Sequence, residues 1–147
     1  MNFSTLALLL VTVTVGSGIA LQAVVNTALA RTVGILEAAF VSVTVTWVIV
    51  AVVLIAGVRS GNMSQITSVP LYLFVGGFVG AAVLVTAVVA VPRLGAASLI
   101  AALVVGQLIG AMILDHFGLL GLQGTPITPI RLGGAMLLVI GMGLLLR

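Results

Sequence analysis

Within a long apolar run of this 147-residue chain, Gln22 and Asn26 place two side-chain amides four residues apart. On a helix that spacing puts both on one face, with Gly18 one turn below Gln22. A third amide, Gln107, stands in another apolar run between Gly106 and Gly110. Amides neither titrate nor attack; their chemistry is to donate and accept hydrogen bonds. Left without a partner in hydrocarbon, each would cost about 2–7 kcal/mol, so each must face protein or water. One reading is a bond between helices, worth only about 0.6 kcal/mol on average. The other is a wet or solute-lined face, and the small gain from the first favours the second.

Of the two acidic residues, Glu37 is the one that falls within an apolar span. It falls in the first turns of a helix, where the helix dipole favours an anion. It could pair with Arg31 or Arg93, or serve as a proton or cation site, since intramembrane carboxylates commonly mark ion pathways. Trp47 falls in mid-helix, away from the usual interfacial belt of aromatic residues, and either walls a cavity or meets lipid. Asp115 and His116 close an apolar run; the pair could titrate, but a solvated helix end is the commoner case. The chain shows no nucleophile–base pair, no cluster of metal-ligand residues and no phosphate-binding loop, and its one histidine has no second His or Cys near it. Neither an enzyme nor a resident metal or cofactor is expected.

Composition sets the solvent. Hydrophobic residues make up 63% of the chain and charged residues 5%, against about 25% charged in a soluble domain. Mean hydropathy is +1.50. The chain is expected to be an integral membrane protein in contact with lipid. There is no cysteine, hence no disulfide or thiolate site. The net charge of +3 comes from five arginines against Glu37 and Asp115, the arginines isolated from one another and placed at the ends of apolar runs. They form no basic patch for nucleic acid and read as topology markers.

The elements that must carry these side chains are helices. A bilayer core of about 30 Å takes roughly 20 apolar residues per helix. Five such runs are expected, at about 5–30, 34–58, 71–91, 94–114 and 130–146, forming a single transmembrane domain over 1–147. Pro92-Arg93 is read as a tight turn, 60–69 as a polar connection and 117–129 as a Gly/Pro-rich loop. The first run has no basic segment before it and exceeds a signal-peptide core, so it is read as a retained helix. Val-rich stretches such as VIVAVVLIAGV favour strands by propensity, but they are apolar on all sides rather than alternating, and in lipid a helix satisfies its own backbone.

With five spans the termini lie on opposite sides. Arg59 and Arg131 fall on one side, and Arg31, Arg93 and Arg147 on the other. One arginine is a small excess for the positive-inside rule, so the chain is expected to insert both ways up. Two antiparallel copies would make a ten-helix inverted-repeat unit, an architecture that holds its substrate near the midplane. Glycines supply close-packing faces: Gly18, the pair Gly76 and Gly80, the pair Gly106 and Gly110, and Gly134 with Gly141, seven apart on the last helix. That last pair is a candidate dimer seam, or a packing face within the subunit.

Gln22 and Asn26, the Pro92-Arg93-Leu94-Gly95 turn, Gly106-Gln107, Asp115-His116-Phe117-Gly118, and Arg131 with Gly133 and Gly134 together resemble the bacterial YdcZ-type family, the five-helix branch of the drug/metabolite transporter superfamily. The resemblance covers essentially the whole chain. It implies an inner-membrane, multi-pass transporter related to the four-helix small multidrug resistance exporters, which work as proton-coupled antiparallel homodimers. Those relatives centre on a glutamate in the first helix. Here Gln22 and Asn26 take that region, so a carboxylate exchange mechanism would fall to Glu37. The glycine pair in the last helix is similar to the dimer seam of those exporters.

The expectation is therefore an all-α, five-span antiparallel homodimer that exports a small solute by alternating access. Gln22, Asn26, Gln107, Glu37 and Trp47 are its candidate solute-binding residues, with proton coupling through Glu37 an open option. A passive dual-topology channel and a non-transporting assembly subunit are the alternatives.

Overall fold

A computed structural model of the chain describes residues 3–57, 61–119 and 123–146. Those residues are helical nearly throughout and contain no strand. The helices are α1 (Phe3–Val33), α2 (Ile35–Ile55), α3 (Val75–Leu94), α4 (Ala96–Phe117) and α5 (Pro129–Leu145). Four helices are long and apolar enough to cross a membrane, that of α3 being counted from Leu71, while α5 is a shorter apolar helix of 17 residues. At 1.5 Å per residue α5 is about 25 Å long, the lower end of what spans a bilayer.

The chain divides into two compact units, Met1–Pro92 and Arg93–Arg147. In the first, α1 packs along α2; in the second, α4 packs along α5.

Single glycines join consecutive helices at two places, and they correct two expected boundaries. α1 does not stop before Arg31 but runs on to Val33, carrying Arg31 in its last turn, where a cation suits the helix dipole. Gly34 then breaks the helix at φ 104° and ψ 159°, a conformation that is essentially glycine's alone. Its N–H still donates to the carbonyl of Ala30, and its own carbonyl accepts from Ala38, opening α2. The second junction is Gly95, at φ 79° and ψ 158°, whose carbonyl accepts from Leu99 and opens α4. The expected turn at Pro92-Arg93 is thus displaced: both residues lie inside the last turn of α3. Proline's fixed φ is compatible with a helix, and its missing N–H forfeits one backbone bond. What proline cannot supply is the positive φ of the turn, and Gly95 does.

The other ends follow the same logic. α2 stops at Ile55, short of the expected 58, and Arg59 lies outside the described residues, as does Arg147. The polar connection is a short 3-10 helix, Met63–Ser68, started by Asn62, whose Oδ1 accepts from the backbone N–H and the hydroxyl of Ser64 at 3.1 and 2.7 Å. A 3-10 turn, Leu71–Phe74, leads into α3. α4 continues through Asp115 and His116 to Phe117 and is capped by Gly118 in the left-handed conformation. Thr128 caps α5 and Pro129 fills its first position, where a missing N–H costs nothing.

Candidate functional site

α1 and α2 meet through small side chains. Ala23 and Thr27 on α1, and Ala38 and Ala39 on α2, are all buried. Short side chains let the two backbones approach, the usual device where lipid offers no hydrophobic drive. Thr27 adds no unpaired donor, because its hydroxyl donates to the Ala23 carbonyl at 2.8 Å.

Into this seam α1 inserts Asn26, only 6% exposed. Its Nδ2 donates to the Oγ of Ser42 on α2 at 3.3 Å. The two residues are sixteen apart in sequence and stand at equal separation from Gly34. The junction therefore fixes the register that brings them together. Thr46, one turn beyond Ser42, donates to the Ser42 carbonyl at 3.0 Å.

The remaining sequence-derived residues are placed differently. Gln22 is one turn from Asn26 on α1 but exposed, and its side-chain amide makes no hydrogen bond to another described residue. It faces outward at the level where α2 carries Thr46, each of them twelve residues from Gly34. Trp47 is 69% exposed on α2. Gln107 is exposed on α4, in the second unit, and its side-chain amide also makes no hydrogen bond to another described residue.

Glu37 lies in the first turn of α2 and is exposed. Its carboxylate folds back over Gly34, into the space that a β-carbon there would occupy. Of its two readings, pairing and a proton or cation site, the pairing with Arg31 is not made within the first unit; among the described residues the one ion pair joins Arg131 to Asp115, at 2.6 Å. The glycines expected to pack helices closely, Gly18, Gly76, Gly80, Gly106, Gly110, Gly134 and Gly141, have open space where a β-carbon would stand.

Sequence reasoning leaves two features without a role. One is Ser42, whose signal is its separation from Gly34, matched to that of Asn26. The other is the end of α4 with the loop after it, read from sequence as a solvated helix end followed by a Gly/Pro-rich loop. There Arg131 donates to the carboxylate of Asp115 and to the carbonyls of Thr125 and Pro126, at 2.6, 3.2 and 3.5 Å. At the far end of the same pair, the hydroxyl of Ser98 donates to the carbonyl of Leu145 at 3.1 Å. The α4–α5 hairpin is tied at both ends.

Long apolar helices, side-chain amides set into them and an exposed apolar surface define a multi-pass membrane protein. Comparison with known proteins places it further. A family model described as "Putative inner membrane exporter, YdcZ" matches residues 7–144. The chain belongs to that family, DMT_YdcZ, and is an inner-membrane protein of transporter type. No curated protein and no solved structure matches it.

Proposed function

We propose that the chain exports a small, hydrogen-bonding solute by alternating access, working as an antiparallel pair of copies. The observation that carries this reading is the division of labour on α1: Asn26 is buried and satisfied by Ser42, while Gln22, one turn away, presents an amide with no partner of its own. An amide so placed needs water, solute or another chain.

Depth supports the same reading. With the Gly34 junction at one interface, a rise of 1.5 Å per residue sets Asn26 about 12 Å and Gln22 about 18 Å along α1. These values bracket the midplane of a core about 30 Å thick, where inverted-repeat transporters hold their substrates. Gln107 is about 18 Å from Gly95 along α4 by the same count. Glu37, about 4–5 Å from Gly34, belongs to the interface, so its proposed part in proton coupling is at an entrance rather than at the solute. The packing glycines, open within one chain, are proposed as contact points between copies.

The test is transport by the purified chain in proteoliposomes, using radiolabelled neutral amides, sugars, amino acids and quaternary ammonium ions in turn. The reading expects saturable uptake of a neutral compound, accelerated by the same compound on the opposite side, and reduced at least tenfold in both Gln22→Ala and Asn26→Ala. Uptake unchanged in both variants would remove these residues from the path. Fast, unsaturable flux without exchange would make the protein a pore.

A further inference from the structure

The loop after α4 folds back onto the histidine near that helix's end. The backbone N–H of Ile127 donates to Nδ1 of His116 at 3.3 Å. Nδ1 can accept only while it carries no proton, so this bond requires the imidazole whose hydrogen is on Nε2. Around this bond the loop is held by groups indifferent to mild acid. The N–H of Thr125 donates to the Asp115 carbonyl at 2.8 Å, and Arg131 grips the carbonyls of Thr125 and Pro126 together with the Asp115 carboxylate.

We infer that His116 is a proton-operated latch on the α4–α5 loop: the neutral ring holds Ile127, and protonation releases it while the Asp115–Arg131 pair keeps the two helix ends joined. An imidazolium donates from both nitrogens and accepts from neither. Its Nδ1–H would confront the Ile127 N–H, replacing a hydrogen bond with a repulsion. Imidazole is the side chain that changes charge between about pH 5 and 8, and His116 is exposed, so a proton reaches it without any opening of the fold.

The charged groups at this end are Asp115, from α4, and Arg131, from α5; the described loop residues 123–128 carry none. These two already satisfy one another. Neither takes the place of the lost acceptor at Nδ1: Arg131 has only donors, and the Asp115 carboxylate is engaged by Arg131. The ring of Phe117 meets that of His116 edge-on, centroids 4.9 Å apart. The latch is thus local, with one amide released and the ion pair kept. It stands independently of the transport reading.

The experiment is amide hydrogen exchange of the full chain in lipid nanodiscs from pH 8 to pH 5, corrected for the intrinsic pH dependence of exchange. Ile127 should be protected at pH 8 and lose at least tenfold of its protection in a single-proton step, while Thr125 keeps its own. In His116→Gln the step should vanish, since glutamine can still accept but does not titrate. On the unmodified chain, nitrogen chemical shifts of the ring at pH 8 should report the Nε2–H tautomer. Ile127 unprotected at pH 8, protection constant down to pH 5, a step surviving in His116→Gln, or an Nδ1–H tautomer would each overturn the latch.

Discussion

Asn26 and Ser42 hydrogen-bond across the first helix pair, sixteen residues apart and centred on the glycine that joins the two helices. One residue, Gly34, therefore determines which polar groups meet inside an apolar seam. That relationship ties the backbone of the junction to the chemistry of the proposed path.

The bond itself should be measurable and modest. A double-mutant cycle of Asn26→Ala and Ser42→Ala, read by equilibrium unfolding in lipid bicelles, should give a coupling of about 0.6 kcal/mol and no more than about 1.7. Zero coupling would mean that the two side chains do not meet in the bilayer.

Gly34 should be far less tolerant than the bond it positions. A side chain there would suffer both the positive φ and a collision with the Glu37 carboxylate. Gly34→Ala should destabilise the chain by about 1–3 kcal/mol from backbone strain alone. The penalty should shrink, without vanishing, in a Glu37→Ala background, because that change clears the space and leaves the φ. An equal penalty in both backgrounds would show that the carboxylate is elsewhere.

Much of this fold is legible in the sequence, because in lipid the helix is enforced and a run of some twenty apolar residues locates it. The junctions are less so. A proline followed by an arginine looks like a turn, yet Pro92 is compatible with the last turn of a helix, and the break falls at Gly95 because only that residue adopts the positive φ without strain. The same rule places the first junction at Gly34 rather than at Arg31. At the candidate site, the types of Gln22 and Asn26 mark them out, but spacing alone treats them alike; the separation of a buried, bonded Asn26 from an exposed Gln22 depends on which way α2 packs. The network joining Asp115, His116, Thr125, Ile127 and Arg131 is illegible in sequence, since it arises from how a loop folds back over a helix end.

The Asp115–Arg131 pair should behave as a partly solvated bridge. The two side chains are 34% and 31% exposed, which limits the pair to roughly 1 kcal/mol or less and makes it sensitive to salt. Asp115→Asn should destabilise by that order at low ionic strength and by less at 1 M salt. The charge-swapped double variant Asp115→Arg with Arg131→Asp should recover part of the loss. A salt-independent effect would point to the backbone bonds of Arg131 rather than to the ion pair.

The proposed insertion in both orientations predicts the labelling of loops. Since the chain has no cysteine, Asn62→Cys and Gln123→Cys each introduce a single thiol in an exposed connection. An impermeant maleimide applied from one side should label about half of either variant, and reach the rest only after the membrane is opened. Complete labelling from one side, or none, would fix a single orientation and remove the antiparallel pair.

The central claim is that the Gln22 face of α1 meets water and solute rather than hydrocarbon. It is tested most directly by the reactivity of single thiols at one depth: Gln22→Cys against Val24→Cys, about 200° around the same helix. Water-soluble maleimides react with the thiolate, which hydrocarbon suppresses. The account predicts ready labelling at position 22 and slow labelling at 24, with the rate at 22 falling when a transported compound is present. Equal resistance at both positions, or faster labelling at 24, would contradict it.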